Sequence, residues 1–230
     1  IAHYKFDDDL TDATDPTNTS KNGTFGGTGG VASLNSTHKI LGSHSLRLLS
    51  DATLYTFMTL PSFQFGNTTT ISFWFNWDLS NSDDPSYQKI LFFKKSTSGD
   101  RIFIGRDGAN NRIYFTVDCD SQTRVDYQIY NTTINDNTWY YVVWVIDNVG
   151  TWKVYINGVY EAPSNTLSST TGQLDTSVIY DTNYIGRHES SNTDNWDGYL
   201  DDFRIYDRVL SAAEVEKLYL EGSDRGLIAH

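Results

Sequence analysis

The stretch "WYYVVWVIDNVGTWKVYINGVYEA" (Trp139 to Ala162) carries two separate signals of β structure. In its first nine residues, Trp139 to Asp147, every position before the closing Asp147 is apolar or aromatic. A strand with one wet face alternates, so this run reads as a strand covered on both faces, in the middle of a sandwich. The second half sets Asn157-Gly158 between two short apolar runs. Asn-Gly tolerates positive φ at both turn centres, which predicts a tight hairpin with a primed turn. Between the halves, "DNVGTW" (Asp147 to Trp152) reads as a hairpin turn.

On the N-terminal side lie more runs of β-branched and aromatic residues: "TISFWFNW" (Thr70 to Trp77), "DRIFIGRD" (Asp100 to Asp107), "RIYFTVD" (Arg112 to Asp118) and "RVDYQIY" (Arg124 to Tyr130). Polar turn residues separate them, and in the last run Val125, Tyr127 and Ile129 alternate with Asp126 and Gln128. On the C-terminal side, "VLSAAEVEKLYLEG" predicts one helix. Ser211 and Glu214 make a capping box, and Leu210 and Val215 sit at the staple positions. Val215, Leu218 and Tyr219 form an apolar stripe, and Gly222 is expected to end the helix. No linker divides the 230 residues, so the expected fold is all-β: one antiparallel two-sheet sandwich with a short C-terminal helix, a jelly-roll where the resemblance given below is followed.

The formal net charge of −12 and the pI of about 4.6 disfavour phosphate backbones and anionic lipid, which argues against nucleic acid and membrane surfaces as partners. The longest apolar run, Tyr140 to Ile146, is too short to span a bilayer, so no membrane insertion is expected. No charged-then-apolar segment opens the chain, so any export signal is expected to lie outside it. The single cysteine, Cys119, excludes an internal disulfide and is read as a small buried hydrophobe. Asn18, Asn22, Asn35, Asn67 and Asn131 begin N-x-S/T triplets, which in a chain this rich in Asn, Ser and Thr do not indicate its source.

Three stretches together resemble the concanavalin A-like, laminin-G-like jelly-roll family. "IAHYKFDDDLTDATDPTNTSKNGTF" is similar to that family's first strand, acidic loop and Asn-Gly turn. "NTWYYVVWVIDNVGTWKVYINGVY" is similar to its central hairpin, with Tyr141 where a histidine is frequent, so nothing is carried over from that histidine. "YIGRHESSNTDNWDGYLDDFRIYDRVLSAAEVEKLY" (Tyr184 to Tyr219) is similar to its closing signature. The family often opens with a "G-L-x-A-x-Y-x-F" strand. Gly226 to His230 match its front and Ile1 to Phe6 its remainder, which implies a unit of a tandem array with neighbouring copies as partners. Residues 1–222 are then the jelly-roll domain and 223–230 a linker or the start of the next copy.

Asp7, Asp8, Asp9, Asp12 and Asp15 crowd the loop after the first strand, and calcium takes six to eight oxygen ligands. Related jelly-rolls often hold calcium between this loop and the last strand. The resemblance therefore implies calcium as the cofactor, with Asp7, Asp12, Asn22 and Thr24 at one end and Asp201 or Asp202 at the other. The alternative is a solvated acidic loop with a buried Asp paired to Arg204 or Arg208.

Nothing points to catalysis. Glycosidases on this fold use paired strand carboxylates, whereas Glu161 follows a hairpin, Glu189 sits in a loop, and Glu214, Glu216 and Glu221 belong to the helix. Nucleophile-elbow, zinc-protease and phosphate-loop motifs are absent, and the five histidines lack ligand spacing. The six Trp, fifteen Tyr and twelve Phe exceed the needs of a core, and loop aromatics can stack on sugars. Trp196 is the first candidate for an exposed ring. Tyr114 and Tyr130 are candidates to stand on an open sheet face.

The expected function is a non-catalytic, calcium-stabilised binding module of a repetitive extracellular or cell-surface protein, recognising a glycan or a protein partner in adhesion. A structural spacer of an adhesin and a module appended to a glycoside hydrolase are the alternatives.

Overall fold

The computed structural model describes residues 2–51, 53–78, 88–108, 110–119, 124–168, 173–189 and 194–226, with the backbone alone at 119, 124–129, 165–168 and 224–226. The side chains of Cys119 and of the alternating run 125–129 therefore lie outside the described residues, as do Ile1 and residues 227–230 of the expected tandem junction.

The strand patterns assemble into two large sheets. The first runs in the order β14 (Val159–Glu161), β13 (Trp152–Ile156), β12 (Trp139–Ile146), β7 (Thr69–Trp77), β18 (Gly198–Tyr206), β4 (Ser45–Leu48), β3 (Ser33–Asn35), and β1 (Ala2–Tyr4) also pairs with β18. The second runs β15 (Pro163–Ser168), β11 (Arg124–Thr133), β10 (Arg112–Cys119), β9 (Arg101–Asp107), β8 (Lys89–Lys94), β17 (Thr182–Ile185), β5 (Tyr55–Leu60), β2 (Thr24–Thr28). A small ribbon joins β16 (Ile179–Tyr180) to β6 (Phe63–Gln64). The pairings within both sheets are antiparallel, as in β7 against β12 and β8 against β9.

Alternation explains the layers. Phe73, Phe75, Val142, Trp144, Leu200 and Phe203 of the first sheet meet Met58, Leu91, Phe93, Ile102, Ile104 and Phe115 of the second in one core. The other face of the first sheet carries Trp74, Tyr141, Val143, Val145 and Tyr155, and it too is covered. Leu210, Val215, Leu218 and Tyr219, on and beside helix α1 (Ala212–Gly226), pack against it. That is why Trp139 to Ile146 are apolar at successive positions: one set of side chains faces the second sheet and the other faces the helix. The Asn157-Gly158 turn has φ of 52° and 80° and joins Ile156 to Val159, as expected of a primed hairpin.

The helix begins as its sequence predicts. The Ser211 backbone N–H donates to Glu214 Oε2 at 2.8 Å, and the Glu214 N–H donates back to Ser211 Oγ at 3.3 Å. Its end differs from expectation, because the helix continues through Gly222 to Gly226. A Cβ at Gly222 would lie 2.5 Å from Cζ2 of Trp74, so glycine is needed there for close approach to the sheet rather than as a stop signal.

Strand β18 changes neighbours along its length. Gly198 to Leu200 pair with β4, and Phe203 to Ile205 pair with β1. The ladder to β7 is irregular between Asp201 and Arg204, and Asp202 adopts φ of 51°. This bulge puts two consecutive acids at the junction of the first and last strands.

Candidate functional site

The three aromatic positions expected on the surface are all buried. Trp196 is 0 % exposed, because its loop folds back so that its backbone N–H donates to Gly186 O at 3.0 Å and its indole meets Trp77 edge-on at 6.4 Å. It plugs the end of the sandwich. Tyr130 is 0 % exposed and packs edge-on to Phe115 at 5.3 Å inside the core, and burial pushes its phenol well above the usual tyrosine value. Tyr114 does stand on the outer face of the second sheet, but at 3 % exposure it is covered. The Lys89 ammonium lies 5.4 Å from its ring centroid.

The six positions expected around calcium are divided among separate hydrogen-bond systems. Asp12 Oδ1 accepts from the His3 and Thr14 N–H groups, each at 2.9 Å, and from Thr14 Oγ1 at 2.8 Å, which shapes the loop. Asn22 Oδ1 accepts from the Asp12 N–H at 3.4 Å, and Thr24 is exposed at the start of β2. Asp7 Oδ1 accepts from the Ser43 N–H at 2.6 Å. Asp201 Oδ2 accepts from the Ile40 and Leu41 N–H groups at 2.9 and 3.0 Å, and burial pushes its carboxyl up to about 8. Asp202 pairs with His3 Nε2 at 2.7 Å and with both Nε and Nη2 of Arg204 at 3.0 and 2.9 Å.

Asp7 and Asp202 line one cleft of about 220 Å³ together with His3, Lys5, Arg204 and Glu221. No group of three or more His, Cys, Asp or Glu among the described residues is placed to hold a metal ion. As they stand, these residues do not converge into a calcium shell: the carboxylates of Asp12 and Asp202 are committed to protein donors, and Asp201 Oδ2 is taken by two backbone N–H groups.

The feature that does assemble is a row of aromatics on the outer face of the second sheet. Register places Thr59, Tyr184, Phe92, Phe103 and Thr116 side by side across β5, β17, β8, β9 and β10. Tyr55 and Phe57 extend the row along β5. Phe57 meets Tyr184 edge-on at 5.4 Å, Phe92 stacks on Phe103 at 6.1 Å, and Phe103 meets Tyr114 edge-on at 5.9 Å. Tyr55, Phe57, Phe103 and Tyr184 are partly exposed. Phe92 and Tyr114 are buried yet belong to neither hydrophobic cluster, as expected of rings on the sheet's far side.

Cations lie over this row. Arg187 sits among three rings, its Cζ at 4.6 Å from the centroid of Phe57, 5.1 Å from Tyr184 and 5.5 Å from Tyr55. Arg101 and Lys89 approach Phe103 at 5.9 and 5.4 Å. His188 packs on Phe92 at 4.8 Å; burial, reinforced by the Lys89 charge, lowers its pKa from the ordinary value, so it favours the neutral form. Such a face offers flat apolar rings beside fixed N–H donors, the two features that hold a sugar ring.

Sequence reasoning missed Tyr55, Phe57, Tyr184 and Arg187. The signal was present in "YTFMTL", where Tyr55, Phe57 and Thr59 alternate with the inward Thr56, Met58 and Leu60. An aromatic set on the outward phase of a strand whose inward phase is already apolar marks a face with a second use.

The fold recurs among solved structures. Domain 4 of AbnA, a GH43 extracellular arabinanase from Geobacillus stearothermophilus, in complex with arabinotriose, is 21 % identical with a TM-score of 0.65, over 95 % of this chain and 97 % of that one. The receptor-binding domain of botulinum neurotoxin type G is 19 % identical with a TM-score of 0.61. A structure of botulinum neurotoxin type C, whose cell entry is described as dependent on two ganglioside molecules, is 19 % identical with a TM-score of 0.65. This chain spans about half of each of those two toxin chains. Likeness at these identities shows the shared fold. No curated protein matches the chain. A family model for the concanavalin A-like lectin/glucanases superfamily, Laminin_G_3, matches residues 51–216, which is most of the chain and includes every strand that carries the aromatic row, and the protein belongs to that family.

Proposed function

We propose that the chain is a non-catalytic binding module of a secreted or cell-surface protein, and that it takes a glycan on the outer face of the second sheet. The observation that carries this reading is the set of partly exposed rings Tyr55, Phe57, Tyr184 and Phe103, on the one large sheet face that neither the other sheet nor the helix covers among the described residues. Rings held by strand register keep a fixed spacing, so little side-chain entropy is lost when a sugar stacks on them. The arabinanase domain, which spans almost the same length and was solved with arabinotriose, supports a sugar as the ligand. The same likeness favours, as the second reading, a module appended to a glycoside hydrolase.

The test is a glycan array followed by titration of the best ligand. Tyr184→Ala and Phe57→Ala are each expected to weaken binding by about three- to tenfold, the range for losing one stacked ring. Unchanged affinity in both variants would move the site off this face. No binding by the wild-type chain would leave the spacer reading in its place.

A further inference from the structure

Resting on the glycan-binding face proposed above, we infer that its ligand is an acidic sugar, a uronic-acid type residue whose carboxylate is taken by Arg187. Among the described residues, two of the three Lys and Arg side chains that approach these rings are matched to acids, as is the neighbouring Lys94 of β8. Lys94 pairs with Glu189, Lys89 with Asp194 at 3.7 Å, and Arg101 with Asp118 at 2.8 Å. Arg187 is the exception. Its polar contact among the described residues is one long bond from Nη2 to the Glu189 carbonyl at 3.5 Å, and its Nε is buried with no hydrogen-bond partner.

A guanidinium with an unused buried donor is an incomplete arrangement, because that N–H has lost water and gained nothing. The rings of Tyr55, Phe57 and Tyr184 confine the group, which limits the freedom it loses when a ligand arrives. A planar carboxylate is the partner that such a fork meets with two parallel bonds. The protein carries a formal charge of −12, so its long-range field repels an acidic glycan. Recognition has to come from this local site. The half-exposed rings on either side supply a surface for the apolar face of the same sugar, so the anion and the ring are read together.

The experiment compares three ligands by calorimetry on the intact chain: an oligogalacturonide, the neutral galacto-oligosaccharide of equal length, and a sulfated galactan oligosaccharide. The wild-type chain is expected to bind the oligogalacturonide at least tenfold more tightly than the neutral oligomer, and to weaken as salt is raised. Arg187→Gln is expected to remove about ten- to hundredfold of that affinity, the range for a hydrogen bond to a charged group, and to weaken neutral-sugar binding by less, so that the acidic-to-neutral ratio falls. Arg187→Lys, which keeps the charge and loses the fork, is expected to fall between. Equal, salt-independent binding of acidic and neutral oligomers would overturn the inference and leave the glycan face standing. Preference for the sulfated ligand alone would overturn the assignment to a carboxylate. Failure to bind any of the three, with a silent glycan array, would remove the proposed function itself. If Arg187→Gln does not fold, the wild-type salt dependence and the acidic-to-neutral ratio still decide.

Discussion

His188 illustrates how much of this site's chemistry depends on the neighbours of a single residue. Its ring lies on Phe92, its Nδ1 is buried without a partner, and Lys89 and Arg101 add positive charge nearby while Asp194 and Glu189 oppose them. The folded pKa is lowered from the usual 6.5, so protonation favours the unfolded chain. Its share of stability is complete above the unfolded value and is lost as pH falls through the folded one. Urea midpoints measured from about pH 8 to pH 5 should therefore drop more steeply for the wild type than for His188→Gln. Parallel curves would mean that the ring is already solvated in the folded state. Trp196 carries the opposite lesson. A tryptophan in a polar loop reads as exposed, yet its backbone N–H bonds to Gly186 O and its indole is buried against Trp77.

The helix is the element whose end was misread, and the error has a physical cause. Glycine near the end of a periodic run signals a stop when backbone conformation is the only consideration. Here it is selected by the distance to Trp74, which itself packs on Tyr141 and Tyr219 at 5.0 and 5.6 Å. Gly222→Ala would ordinarily stabilise a helix interior by about 1 kcal/mol. At this contact overpacking of roughly 1–3 kcal/mol opposes the gain, so the melting temperature is expected to fall. A rise would show that Trp74 yields without loss. A helix of 15 residues is marginal alone, so its stability here rests on the face it covers.

In the molecule as a whole, the first and last strands are tied by charge as well as by ladder bonds. At one end of β18, Arg47 reaches Asp197 and, at 3.0 Å, Asp78, while Asp197 Oδ2 accepts from the Ser50 N–H at 3.2 Å. Asp197 is buried, which raises its carboxyl pKa against the lowering effect of Arg47. Arg47→Met would strand a buried acid and is expected to cost about 3–5 kcal/mol, read as a lower urea midpoint. A loss below about 1 kcal/mol would show that the pair is solvated. Further along β18, His3, Asp202 and Arg204 join β1 to the same strand. With these carboxylates committed, melting in excess calcium is expected to match melting in chelator. A rise of several degrees in calcium would show that the acids exchange their protein partners for the ion.

The two-sheet sandwich, the Asn157-Gly158 hairpin and the capped start of the helix were legible in the sequence because each rests on local rules. Side-chain period, turn conformation and capping act over a few neighbouring residues, and "WYYVVWVI" reports two covered faces without saying what covers them. The site was not legible in the same way. Tyr55, Tyr184, Phe92 and Phe103 are distant in the chain and become one surface only when β5, β17, β8 and β9 pair in register. The fates of Trp196, Tyr130 and the paired acids Asp201 and Asp202 were likewise decided by long-range contacts. A residue's type limits the chemistry it can offer; whether that chemistry meets solvent, core or another charge depends on which distant strands the fold sets beside it.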